Sequence, residues 1–185
     1  MQEQNEGALQ NVYLANHDCA ENSIRGTMMR KRIITQTSKE SSSADKGWLE
    51  LERVAQVEIT SEDAAHPIDM ALTAGAGPGW WATEPGQQTI RLLFDQPQKL
   101  RRIYLVFDED TQERTHEFVL RWSADSGRSY RQILRQQYTF SPPGTTREAE
   151  DYVVNLDGVT VLELRIVPDI SGGDARASLT QLRLA

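Results

Sequence analysis

The chain has one cysteine, Cys19, three histidines, and no surplus of positive charge over its 185 residues. A single thiol excludes an internal disulfide and any multi-cysteine metal site within one chain. Its surroundings, "NHDCAEN" (16–22), place a His and an Asp beside it but supply no shaped turn and no second ligand pair, so it reads as an ordinary free thiol. No run of apolar residues reaches the length of a membrane span. The start of the sequence also lacks a basic segment followed by an apolar one, which predicts no membrane insertion and a cytoplasmic location. Absent too are G-x-S-x-G, H-E-x-x-H and a phosphate-binding loop, so nothing arranges the abundant carboxylates and hydroxyls for catalysis.

The net charge is −7, and its distribution is informative. Residues 1–46 hold six basic and six acidic groups, which leaves 14 basic against 21 acidic groups in residues 47–185. An acidic domain without a Lys/Arg stripe repels a phosphate backbone, and nucleic acid is excluded as a partner. The same boundary shows in composition. Residues 1–46 carry no sustained period and end in the serine-rich "TSKESSSADKG" (37–47), which buries too little apolar surface to order itself. They are expected to form a polar, disordered extension.

From Trp48 onward, short segments rich in β-branched and aromatic residues alternate with turn residues, the pattern of an all-β sandwich. The predicted strands are "WLEL" and "AQVEIT" within 48–60, then 88–94, 100–107, 116–123, 129–140, 151–156, 161–167 and 178–184. Alternation assigns inward faces to Ile90, Leu92 and Phe94, to Ile103, Leu105 and Phe107, to Phe118, Leu120 and Trp122, and to Leu162, Leu164 and Ile166. Hairpin or corner connections are expected at "SADSGRS" (123–129) and at "LDG" (156–158), where glycine tolerates a positive φ.

In order, "HPIDMALTAGAGPGWWA", "TIRLLFDQPQKLRRIYLVF", "FVLRWSADSGRSYRQI" and "LELRIVPDISGGDARASLTQLRL" resemble the discoidin-like domain, also called the coagulation-factor C-type or galactose-binding-like domain. The resemblance covers about residues 48–185. It implies an eight-stranded antiparallel jelly-roll sandwich over 47–185, with a ligand surface on the loops at one end. Fold alone does not choose among the sugars, phospholipid head groups and proteins that such domains bind. The family's structural calcium would fall on Asp69 and on the position of Gln181, where a glutamate is usual. A neutral amide is a poorer calcium ligand than a carboxylate. No cofactor is therefore expected, with calcium held by Asp69 and the carbonyl oxygens of 69–78 as the alternative.

The loops expected to share the ligand end are 61–67, 108–116, 139–151 and 168–177. Among their polar groups His66, Arg114 and Arg176 are the candidate contacts to sugar hydroxyls. The adjacent tryptophans of "AGAGPGWW" (74–81) should emerge in different directions. Trp80, nearer the glycines, is expected to be the exposed stacking platform, and Trp81, nearer the strand, to be buried. Trp48 and Trp122 are assigned to the core. The expected function is a non-catalytic binding module for carbohydrate. An intracellular protein-interaction module of the same fold is the alternative.

Overall fold

The structure is a computed structural model and describes residues 47–73, 75 and 77–185. The extension expected over 1–46 lies outside the described residues. The elements are α1 (Leu51–Val54), β1 (Ala55–Ile59), α2 (Asp69–Leu72), β2 (Trp80–Pro85), β3 (Gln88–Asp108), β4 (Arg114–Ser123), β5 (Arg131–Phe140), β6 (Arg147–Val167), β7 (Arg176–Leu179) and β8 (Gln181–Leu184). All pairings between strands are antiparallel. No helix among the described residues is long and apolar enough to cross a membrane.

Two 21-residue strands, β3 and β6, organise the sandwich. The first half of β3 pairs with β1 and with the second half of β6, which continues to β4 and β5. The second half of β3 pairs with β8 and with the first half of β6. Between the halves the register breaks, at Leu93/Gln98 and again at Leu100/Arg102. Such bulges bend a strand and sharpen its twist, so β3 and β6 each pass from one layer to the other.

The sequence pattern places a break in each of these long strands, between Phe94 and Leu100 and at the expected corner "LDG" (156–158). Here both breaks lie at the bend instead. Gly158 takes φ 75° between Asp157, which pairs with Lys99, and Val159, which pairs with Gln98. A second difference falls at "WLEL", which is no strand: Leu51 opens the short turn α1 and is buried.

The alternating sets meet in one core. Ile90, Leu92, Ile103, Leu105, Phe107, Phe118, Leu120, Leu162, Leu164 and Ile166 are all buried, with Leu182 and Leu184 of β8 joining them. Full burial of such a side chain stabilises by about 1.5–3 kcal/mol. Trp122 also packs against this core, opposite Leu162, but is less buried than its set. It is half-buried and carries the Arg131 guanidinium 5.5 Å from its ring centre.

Candidate binding site

The site is built on the ribbon of β2 and β7. Gly79 adopts φ 83°, and a Cβ there would lie 2.5 Å from the Leu179 carbonyl oxygen. Only glycine permits that approach, which seats β2 directly against the β7–β8 corner. Because β2 starts at the first tryptophan, alternation acts at once: Trp80 pairs with Leu179 and Trp81 with Ser178. Trp80 is fully buried, whereas Trp81 is 46% exposed. The expected assignment of the two rings is thus reversed. Trp80 is a core residue whose Nε1 donates to the Ser61 carbonyl at 3.2 Å, and the available platform is Trp81.

The 61–68 loop is fastened to β2 by two main-chain bonds. Trp81 N donates to His66 O (3.2 Å), and Asp63 N donates to Trp81 O (2.9 Å). Inside the loop the Glu62 carboxylate accepts from Ile68 N (2.7 Å), and Asp63 accepts from Ala65 N (2.7 Å). These bonds lay the His66 ring on Trp81, 4.8 Å between centres and 21° from parallel. The Ala65 N–H, foremost, and His66 hold the Asp63 carboxyl below its ordinary value. His66 thus lies against the Trp81 ring, with Asp63 Oδ1 3.4 Å from its Nδ1.

Arg176 is exposed at the start of β7 and lines the same depression as Trp81. Among the described residues its side chain has no hydrogen-bond or ion-pair partner. Arg114 corrects the expectation of an exposed loop donor, since it opens β4 and is 7% exposed. Its Nη2 lies 2.7 Å from the Glu109 carboxylate, and its Nη1 donates to the Arg176 carbonyl at 2.9 Å. Burial pushes the Glu109 carboxyl up, but bonds from Thr111 and Gln112 and the charge of Arg114 outweigh it and hold it low. Burial likewise lowers Arg114, opposed by Glu109 and Asp169. A buried ion pair of this kind fixes geometry more than it adds stability. Arg114 ties the 109–112 loop to β7 with both Nη groups engaged; it also lines the depression at Trp81, and its buried Nε meets no acceptor among the described residues.

The resulting depression encloses about 210 Å³, with Trp81, Ser178 and Arg176 on one side and Asp108, Glu109, Asp110, Thr111 and Gln112 on the other. That is below the ~300–1,000 Å³ of a pocket for a drug-sized ligand, and it suits one small ring. Asp108 is engaged by Arg147 Nη1 at 3.0 Å. Asp110 and Gln112 are exposed and present an acceptor and an amide to the space beside the ring. The sequence reading placed the platform at Trp80 rather than Trp81 and did not single out Gln112, which also lines this depression. The alternation of β2, counted from Gly79, was the signal for Trp81.

A larger depression, about 340 Å³, lies at Trp48. Trp48 is not core as expected. Its ring has the guanidinium groups of Arg102 and Arg183 at 4.9 and 5.0 Å, which leaves it poorly placed to stack on a ligand. Asp69, the candidate calcium ligand, is exposed at the first position of α2, and its carbonyl oxygen accepts from Thr73 N at 2.9 Å. No group of three His, Cys, Asp or Glu among the described residues could hold a metal ion.

No family model matches the chain, and no curated protein sequence does. Solved structures do resemble it. A pectin-binding carbohydrate-binding module aligns with TM-score 0.54 and 14% identity, covering 71% of this chain and 89% of the module. The family 32 carbohydrate-binding module of NanJ from C. perfringens, in complex with galactose, aligns with TM-score 0.55 and 11% identity over 74% of this chain and 96% of its own. A further family 32 module from Clostridium perfringens, in complex with GalNAc-β-1,3-galactose, gives TM-score 0.54 and 15% identity over 74% and 98%. At these identities the likeness concerns architecture: the chain has the galactose-binding-like β-sandwich fold, the discoidin-like fold that the sequence resembles.

Proposed function

We propose that residues 47–185 form a non-catalytic carbohydrate-binding module, with residues 1–46 an extension outside it, and that the depression at Trp81 holds one sugar ring. The observation that carries this reading is the exposed Trp81 ring, braced by His66 on one side and bordered by the uncommitted Arg176 and Asp110. A flat apolar surface takes the C–H face of a sugar, and convergent polar groups take its hydroxyls. The fold is shared with modules seen with galactose and with a GalNAc disaccharide, which supports a ligand of that class. Glu109 and Asp108 are held by Arg114 and Arg147, so two of the three rim carboxylates serve as structure and Asp110 alone is left as an acceptor, and the module binds its ligand without altering it.

Binding of the full chain to a glycan array, followed by calorimetry with galactose and GalNAc saccharides, tests the reading. Trp81→Ala is expected to weaken saccharide binding about tenfold, the equivalent of one lost stacking contact, and Arg176→Ala to weaken it as well. No saccharide bound by the parent chain, or one bound equally by Trp81→Ala, would overturn it.

A further inference from the structure

The outer face of the five-stranded layer gathers positive charge on an otherwise acidic domain. Glu163, on β6, is fully buried there and accepts from three arginines: Arg91 Nε at 2.9 Å on one oxygen, and Arg165 Nε at 2.7 Å with Arg121 Nε at 3.0 Å on the other. Sheet register fixes this arrangement. Arg91 and Arg121 lie directly opposite Glu163 on β3 and β4, and Arg165 is two residues along its own strand. One carboxylate cannot neutralise three guanidinium groups.

A fourth arginine, Arg135 on β5, is opposite Val119, which is itself opposite Arg165. Its Nε is 3.5 Å from Glu117, whose other oxygen accepts from Gln137 at 2.9 Å. With Glu58 on Arg91 at 3.3 Å, the face holds four arginines against three glutamates, and every one of those carboxylates is already engaged. Among the described residues, no protein acceptor meets the Nη groups of Arg165 or Arg135, or Nη1 of Arg121. These three side chains line one depression of about 130 Å³ over Val119 and Val167, with Glu117 and Gln132 at its edge. It shares no residue with the depression at Trp81.

We propose that this depression binds a tetrahedral oxyanion, sulfate or phosphate, through Arg121, Arg135 and Arg165. The three donors come from adjacent rigid strands, so little is lost in ordering them, and guanidinium forks match oxyanion geometry. A single excess positive charge suits one oxyanion group. The space admits that group and excludes a chain of sugar rings, so an ester on a polymer would enter only by its charged substituent. The site stands independently of the reading of Trp81.

Backbone amide NMR of the full chain, titrated with sodium sulfate and with phosphate against sodium chloride at matched ionic strength, provides the test. Saturable shifts are expected along the 117–121, 132–137 and 163–167 segments with sulfate and phosphate but not chloride. Arg165→Gln should weaken binding about tenfold or more, as loss of a charged hydrogen-bond donor does. Because Arg165 also supports Glu163, Arg135→Gln is the cleaner variant, and it should weaken sulfate while melting as the parent does. Trp81→Ala should bind sulfate unchanged. In that variant, a galactose sulfate ester that binds tighter than inorganic sulfate assigns the site to a sulfated polymer, and equal affinity assigns it to the free ion. Shifts no larger than those from chloride, or sulfate affinity unaltered in Arg135→Gln, would overturn the proposal.

Discussion

The loop end at Trp81 and the outer sheet face at Glu163 use charge in opposite ways. At the loop end, acids and bases mostly cancel locally: Glu109 with Arg114 and Asp108 with Arg147. What remains for a ligand is an aromatic plane edged by Arg176 and Asp110. On the sheet, one buried carboxylate gathers three guanidinium groups, and a surplus of donors stays at the surface. Local cancellation produces a surface that reads shape and hydroxyls. Concentration around a buried counter-charge produces one that reads charge. Loops allow the first because each can fold its own acids back onto its own backbone amides, as Glu109 does with Thr111 and Gln112. A strand cannot, since its amides are committed to the ladder, so its charges must be matched across strands.

The core beneath the loop end sets the largest expected effect. Trp80→Ala removes a fully buried ring and the donor to Ser61, and should cost about 3–5 kcal/mol in chemical denaturation. A loss near that at Trp81 would break the distinction between the two rings.

On the sheet face, Glu163→Gln keeps the shape and one acceptor but removes the counter-charge, and a cost of about 1–3 kcal/mol is expected. Asp108→Asn at the loop rim, whose ion pair with Arg147 is exposed, should cost no more than about 1 kcal/mol. Equal losses would mean that the two regions do not differ in how their charges are held.

Acid should expose the same contrast through linkage. Burial pushes the Glu163 carboxyl up, but its bonds from Arg91 and Arg121 outweigh that and leave it below its ordinary value. Glu109 is also held low. A carboxyl depressed in the folded state binds fewer protons there than in the unfolded chain. Its contribution is fully present above the unfolded value of about 4.3 and is lost as pH falls through the lower folded value. Stability of the parent should therefore fall below about pH 4.3. Glu163→Gln should fall less steeply over that range, and parallel curves would show that Glu163 does not supply this dependence.

How far such features can be read from sequence depends on whether their cause is local. The inward sets on β3, β4 and β6 follow from period-2 alternation, and they lie in the core at Ile90, Ile103, Phe118 and Leu164. Pro97 and Gly158 mark real irregularities, but a turn residue does not say whether the chain reverses or only bends, because the pairing partner decides that. Gly158 falls between Asp157 and Val159, whose partners are Lys99 and Gln98, so the chain bends there instead of reversing. Arg114 illustrates a longer-range cause. Its burial depends on Glu109 across a loop and on a carbonyl of β7, and neither contact is written in its neighbours. The arginine grid on the sheet was visible only as scattered basic residues until register placed Arg91 and Arg121 beside Glu163. For the tryptophan pair the sequence supplied the divergence of the rings but not its sense, because that required the first residue of β2.

The smallest expected change in stability, and the sharpest probe of the comparison, belongs to Trp81. Its ring is 46% exposed and rests on His66, itself only partly buried. Trp81→Ala therefore opens no core cavity, and its main-chain bonds to Asp63 and His66 survive the substitution. Stability should stay within about ±0.5 kcal/mol of the parent, as for other surface changes without a structural role. Iodide should quench a substantial part of the parent's tryptophan emission. The Trp81→Ala protein should lose most of that quenchable part, with the half-buried Trp48 and Trp122 supplying the remainder and Trp80 none. Bound saccharide should protect the parent from iodide and leave the variant's residual quenching unchanged, because only the ring at the ligand is covered. Quenching that persists in full in Trp81→Ala would place the accessible ring elsewhere, and the loop end would then lack the aromatic plane that distinguishes it from the sheet face.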